Sequence, residues 1–215
     1  MRLVGGVSLL CALLLGACST STSAPVESTR NVTPDPSGSA TTTSSTAAPT
    51  AATVLASFPD AASVAGWTTV DDTVMGGVSS SSIAWSPDGG GALVFAGRLS
   101  TERNGGFSST LGPVDRTIGG RAAGSRAIGI DATGDGRTYL LQLRAGPTGS
   151  DRWIARFTPP AVLPLDTFEP VGQFLRPTTP STPLDPATIT QLGIYVLDGQ
   201  IGEFRLALRS IDARR

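Results

Sequence analysis

Two acidic residues, Asp71 and Asp72, stand side by side and are followed by Met75, Gly76 and Gly77. Further along, Asn104 precedes a second glycine pair, Gly105-Gly106, and Phe107. Carboxylates beside glycines can accept hydrogen bonds from loop amides or sugar hydroxyls, or ligate a hard cation. Glycine pairs allow backbone at positive φ and close approach of a ligand or another chain segment. These nine residues form the candidate binding surface. The same residues also fit a purely architectural role. Asp71 or Asp72 would then cap a turn, Asn104 would hold its own turn, and Met75 and Phe107 would be core. Asp71, Asp72, Glu102 and Asp135 could supply a glycosidase acid pair, which needs two carboxylates about 5–10 Å apart in a cleft. Acidic turn residues are the simpler account, so no catalytic residue is assigned.

Other chemistries are closed off by composition. The chain has no histidine, and all 16 basic residues are arginine. That removes Ser-His-Asp and Cys-His triads, His-ligated zinc, Schiff-base lysine and the P-loop lysine. A formal net charge of -1 gives no footprint for nucleic acid. The two cysteines, Cys11 and Cys18, both lie at the N-terminus, so no disulfide can staple the rest. No cofactor and no metal is implied.

The elements that must position the loops follow from the pattern of the chain. Residues 1–17 read as a lipoprotein signal peptide: Arg2, then the apolar run Leu3 to Leu15, too short to span a bilayer as a helix. Leu15-Gly16-Ala17-Cys18 resembles a bacterial lipobox, which implies lipidation at Cys18 and anchorage on the extracytoplasmic face of the cell membrane. Several acyl chains make such anchoring stable. Residues 18–53 are rich in Ser, Thr, Pro and Ala and poor in large apolar side chains, the composition of a disordered tether. A flexible coil of that length spans on the order of 30–35 Å.

From residue 54 to 215 the pattern becomes about ten short strands with turn signals between them. Ala92 to Leu99 is the clearest, and Val78 to Trp85 reads as an edge strand. Ala127 to Ala132, Gly134-Asp135-Gly136 and Thr138 to Arg144 predict a hairpin. Arg152 to Phe157 alternates charged and apolar residues like a half-exposed strand. Asp185-Pro186 marks the start of a brief helix. The class is all-β, a sandwich large enough to stand without disulfides.

Val70-Asp71-Asp72-Thr73-Val74-Met75-Gly76-Gly77 resembles the opening signature of the complex I intermediate-associated protein 30 family. Phe95-Ala96-Gly97-Arg98-Leu99 through Asn104-Gly105-Gly106-Phe107 is similar to its second motif, and Gly134-Asp135-Gly136-Arg137-Thr138-Tyr139 to its hairpin motif. The resemblance implies a galactose-binding-like jelly roll with no known enzymatic activity. Mitochondrial members of that family help assemble respiratory complex I. The combined expectation is a membrane-anchored, non-catalytic binding lipoprotein that docks on a protein. The alternative is a carbohydrate-binding module facing cell-wall glycans, and a remote third is an acid-pair glycoside hydrolase.

Overall fold

The structure, a computed structural model, describes residues 52–178 and 183–215. The signal peptide, Cys18 and nearly all of the tether lie outside the described residues. In chain order the described elements are β1 (Ala52–Ser57), β2 (Thr68–Asp71), β3 (Ser80–Ser86), β4 (Ala92–Leu99), β5 (Ser108–Leu111), α1 (Thr117–Ala122), β6 (Ala127–Gly134), β7 (Tyr139–Ala145), β8 (Asp151–Phe157), β9 (Ala161–Pro164), β10 (Glu169–Val171), β11 (Gln191–Val196) and β12 (Gly202–Arg214). One sheet has the order β3-β4-β12-β6-β9, with β1 also paired to β12. The other has the order β10-β8-β7-β11-β5-β2. The helix suggested by Asp185-Pro186 is a single 3-10 turn, Pro186–Thr188, with the Asp185 side chain accepting from the Ala187 amide.

Period-two alternation puts Tyr139, Leu141 and Leu143 of β7, Trp153 and Phe157 of β8, and Leu192, Ile194 and Val196 of β11 into one core with Phe95, Leu206 and Leu208 of the facing sheet. Phe58 meets Trp67 edge to face at 5.3 Å, and Phe95 meets Phe204 at 4.9 Å. Such pairs add to the burial of their area. Trp85 is half-buried at the edge strand, where its indole N–H donates to the Phe58 carbonyl at 3.0 Å.

The hairpin expected around Gly134-Asp135-Gly136 does not form. β6 pairs with β12 and β9, whereas β7 pairs with β8 and β11, so the turn carries the chain from one sheet to the other. The turn between β11 and β12 is also a crossing. The reason is burial: β6 and β7 both carry apolar side chains into the shared core, one strand from each sheet. Two residues of the turn lock the two crossings together. The Asp135 carboxylate accepts from the Arg137 amide (3.1 Å), the Tyr139 hydroxyl (3.0 Å) and the Arg205 amide (2.9 Å). The Arg137 guanidinium donates to the carbonyls of Gln200 (2.6 Å), Ile201 (3.1 Å) and Glu203 (2.8 Å).

A point charge cannot reproduce that planar fork. Arg137→Lys is therefore expected to cost about 1–2 kcal/mol, read as a lower urea midpoint at unchanged slope. An unshifted midpoint contradicts the clamp.

Candidate functional site

The Asp72 side chain is fully buried, and the two glycine-rich loops meet on it. One loop joins β2 to β3 and the other joins β4 to β5, so both are sheet-to-sheet crossings at one end of the sandwich. The Ser79 amide donates to Asp72 Oδ1 at 2.9 Å. Oδ2 accepts from the Ser79 hydroxyl, from the Gly106 amide at 2.6 Å and from the Phe107 amide at 3.4 Å. The Asp72 amide returns a bond to the Phe107 carbonyl at 3.2 Å. Ser79 Oγ also accepts from the Ser100 amide at 3.0 Å. A Cβ on Gly77 would overlap Asp72 Oδ1, and one on Gly105 would lie 2.5 Å from Oδ2. One glycine of each pair is thus there to let backbone wrap a carboxylate. Burial pushes the Asp72 pKa up, but the hydrogen bonds from Ser79, Gly106 and Phe107 outweigh it and hold the group below the usual carboxylate range.

Asp71 is also spent on structure. Its carboxylate accepts from the Ser81 hydroxyl and, at 2.9 Å, from the Ser81 amide, joining the edge of one sheet to the edge of the other. Gly76 ends the 3-10 turn Asp72–Met75 at φ 90°, a left-handed conformation that favours glycine. The architectural account therefore fits Asp71, Asp72, Gly76 and Gly77. It does not fit Met75, which is exposed, or Phe107, which is half-buried.

Met75, Asn104, Gly105, Gly106 and Phe107 line one end of a groove of about 660 Å³ over the outer face of the second sheet. Strand register lays the outward side chains of this face in rows. Arg152 of β8, Arg144 of β7 and Gln191 of β11 form one row. Ile154, Gln142, Gly193 and Leu111 form the next, and Arg156, Leu140, Tyr195, Ser109 and Val70 the third. Leu140, Ile154 and Val171 make a small apolar floor against which Leu175, Tyr195 and Leu197 pack. The segment after β10 arches over this floor. Phe174 and Leu175 take φ of 57° and 53° there, and the Phe174 ring is 67% exposed at the groove. Non-glycine residues at positive φ are held by their surroundings and cluster at functional sites.

The groove's polar groups are only partly engaged. Arg156 pairs with Asp198 through two bonds of 2.9 and 3.1 Å. Gln142 is buried, and its Nε2 has no partner among the described residues. The Tyr195 hydroxyl lies 3.5 Å from Gln142 Oε1, a long contact. Burial pushes the Tyr195 pKa up, while the positive charges of Arg144 and Arg152 pull it down. Among the described residues that line the groove, Asp198 is the one carboxylate.

Of the nine residues singled out in the sequence, Met75, Asn104, Gly105, Gly106 and Phe107 line the groove and Asp71, Asp72, Gly76 and Gly77 do not; the residues of its floor and opposite end were not among them. Arg152, Ile154 and Arg156 carry a signal in their alternation. Gln142, Arg144 and Tyr195 sit in runs that read as buried strands, and the arch at Phe174 has no periodic signal.

Two antiparallel sheets joined by these crossings define a β-sandwich. The chain belongs to the complex I intermediate-associated protein 30 (CIA30) family, whose model matches residues 56–208. Among solved structures it is similar to the family 11 carbohydrate-binding module of the cellulosomal cellulase Lic26A-Cel5E of Clostridium thermocellum, with a TM-score of 0.54 and 14% identity over 78% of this chain and 97% of that one. The same module in complex with a β-1,3-1,4-mixed-linked tetrasaccharide matches with a TM-score of 0.54 and 15% identity over the same shares. At that identity the likeness concerns the fold. No curated protein sequence matches the chain.

Replacing Asp72 tests the clamp. Its folded pKa is depressed, so its contribution to stability is full above the unfolded carboxylate value and fades as pH falls through the folded one. Asp72→Ala leaves buried donors unpaired and is expected to cost about 3 kcal/mol or more at pH 7, lowering the melting temperature by roughly 6–12 °C. Asp72→Asn is expected to be less stable at pH 7 but to lose less than the parent below about pH 4, measured by thermal melts across pH. Parallel pH profiles contradict the assignment.

Proposed function

We propose that this protein is a lipid-anchored, non-catalytic module that binds a glycan chain along the outer face of its second sheet. The observation that carries the reading is the groove itself, which combines an apolar floor, aromatic rings and unengaged hydrogen-bonding groups. A sugar ring offers an apolar C–H face and a rim of hydroxyls. It needs an aromatic or aliphatic surface beside donors and acceptors. Tyr195, Phe107 and Phe174 supply the first, and Gln142 and the arginines supply the second. The groove is large enough for a ligand of several rings, within the usual range of ligand sites. The neighbour solved with a tetrasaccharide, similar in fold, adds support. Anchorage at Cys18, on the outer face of the cell membrane, would hold the groove within reach of cell-wall polymers through the tether.

A second reading, docking of a protein partner, rests on an apolar tip that adjoins the groove at Met75. Val74, Met75 and Val78 are 70%, 51% and 40% exposed around the first glycine-rich loop and form an apolar tip. Loss of partner capture in Val74→Ser, with glycan binding absent in the parent, would favour it.

Affinity electrophoresis of the full mature chain in gels holding plant and bacterial polysaccharides tests the first reading. Retardation is expected, and Tyr195→Ala is expected to weaken it about tenfold or more while the protein still melts cooperatively. Equal retardation of parent and variant contradicts the groove. For the anchor, Cys18→Ala is expected to appear in the culture medium. Continued membrane association contradicts lipidation at that residue.

A further inference from the structure

The groove carries more charge than a neutral sugar needs. Its lining holds three guanidinium groups, Arg144, Arg152 and Arg156, and one carboxylate, Asp198, a balance of +2 in a chain whose net charge is -1. Arg156 is occupied by Asp198. Arg144 and Arg152 are not: among the described residues neither side chain makes an ion pair or a hydrogen bond. They are direct cross-strand partners on β7 and β8. Side chains so placed have Cβ atoms about 4.5–5.5 Å apart, and like charges in that position repel.

Two further observations point to a missing anion. Arg144 Nε is buried without a hydrogen-bond partner, and so is the amide nitrogen of Gln142 in the adjoining row. Unpaired buried donors cost free energy, more so when charged. On the first sheet Arg209 is held by Asp131 and Arg214 by Asp212. The Arg144–Arg152 pair has no such carboxylate partner among the described residues; the acceptor in its row is a neutral one, the amide oxygen of Gln191 opposite Arg144, itself buried and unpaired.

We infer that Arg144 and Arg152, with Gln142 beside them, form an anion subsite in the groove that takes the carboxylate or phosphate of an acidic sugar. This rests on the glycan reading and narrows it from glycans in general to anionic ones. Guanidinium groups bind both anions through paired N–H donors, and the bonds are stronger than those to neutral hydroxyls. Tyr195 and the apolar floor then take the ring that bears the charge. The attraction falls as salt rises, because the groove is open to solvent.

Isothermal titration of the full mature chain with three oligosaccharides tests it: an oligogalacturonate, a phosphate-bearing mannose oligosaccharide and a neutral mixed-linkage gluco-oligosaccharide. At least one acidic ligand is expected to bind tighter than the neutral one, and which one does so tells carboxylate from phosphate. Arg144→Gln and Arg152→Gln are each expected to weaken acidic binding by about tenfold to a hundredfold, a larger factor than the loss each causes in neutral binding. Both are expected to melt at or above the parent temperature, since each removes a like-charge repulsion. Neutral binding as tight as acidic, unchanged in both variants, overturns the anion subsite and leaves the glycan reading standing. Binding of none of the three overturns both.

Discussion

The buried carboxylate of Asp72 is the constraint on which one end of this domain depends. A charge taken out of water must find hydrogen bonds or the fold loses several kcal/mol. Here the bonds come from two loops distant in sequence: Ser79 in one, Gly106 and Phe107 in the other. Because each loop is a crossing between the sheets, satisfying one side chain fixes how β2, β3, β4 and β5 are joined. The glycines follow from the same requirement, since Gly77 and Gly105 pack so closely on Asp72 that a side chain would displace it. Asp135 and Arg137 repeat the device for the crossings β6 to β7 and β11 to β12. A sandwich without disulfides thus holds its crossings by polar clamps set against a continuous apolar core.

The same clamps prepare the groove. With the Asp72 loop fixed, the backbone at Gly105 and Gly106 and the Phe107 ring stand at one end of the outer sheet face. The arch carrying Phe174 covers the apolar floor from the side of β10. Between them the sheet presents side chains whose spacing is set by strand register alone. Rigid strands position such groups better than loops can.

Much of this was legible in the chain, and the limits of legibility have physical causes. Alternation and turn residues predict an all-β sandwich, and the edge strand at Ser80–Ser86 and the Asp185 cap stand where expected. Gly134-Asp135-Gly136 misled, because a glycine-rich turn between apolar strands looks the same whether it closes a hairpin or crosses between sheets. Only partner strands distant in sequence decide that. Asp71 and Asp72 stood out as acids, yet acids beside glycines do not reveal whether the carboxylate faces solvent or the protein's own amides. Arg144 and Arg152 went unnoticed for the same reason as the crossing: their adjacency exists only in the β7–β8 register.

The most direct test of the account is side-chain NMR of the full chain during titration with an oligogalacturonate or a phosphate-bearing mannose oligosaccharide. Arginine Nε–H and glutamine amide signals report on the very donors that lack partners. The account predicts saturable shifts of Arg144, Arg152, Gln142 and the Tyr195 ring, with Arg209 and Arg214 on the opposite sheet unmoved. Shifts confined to the opposite sheet or to the Val74–Val78 tip, or no shifts with any acidic oligosaccharide, would contradict it.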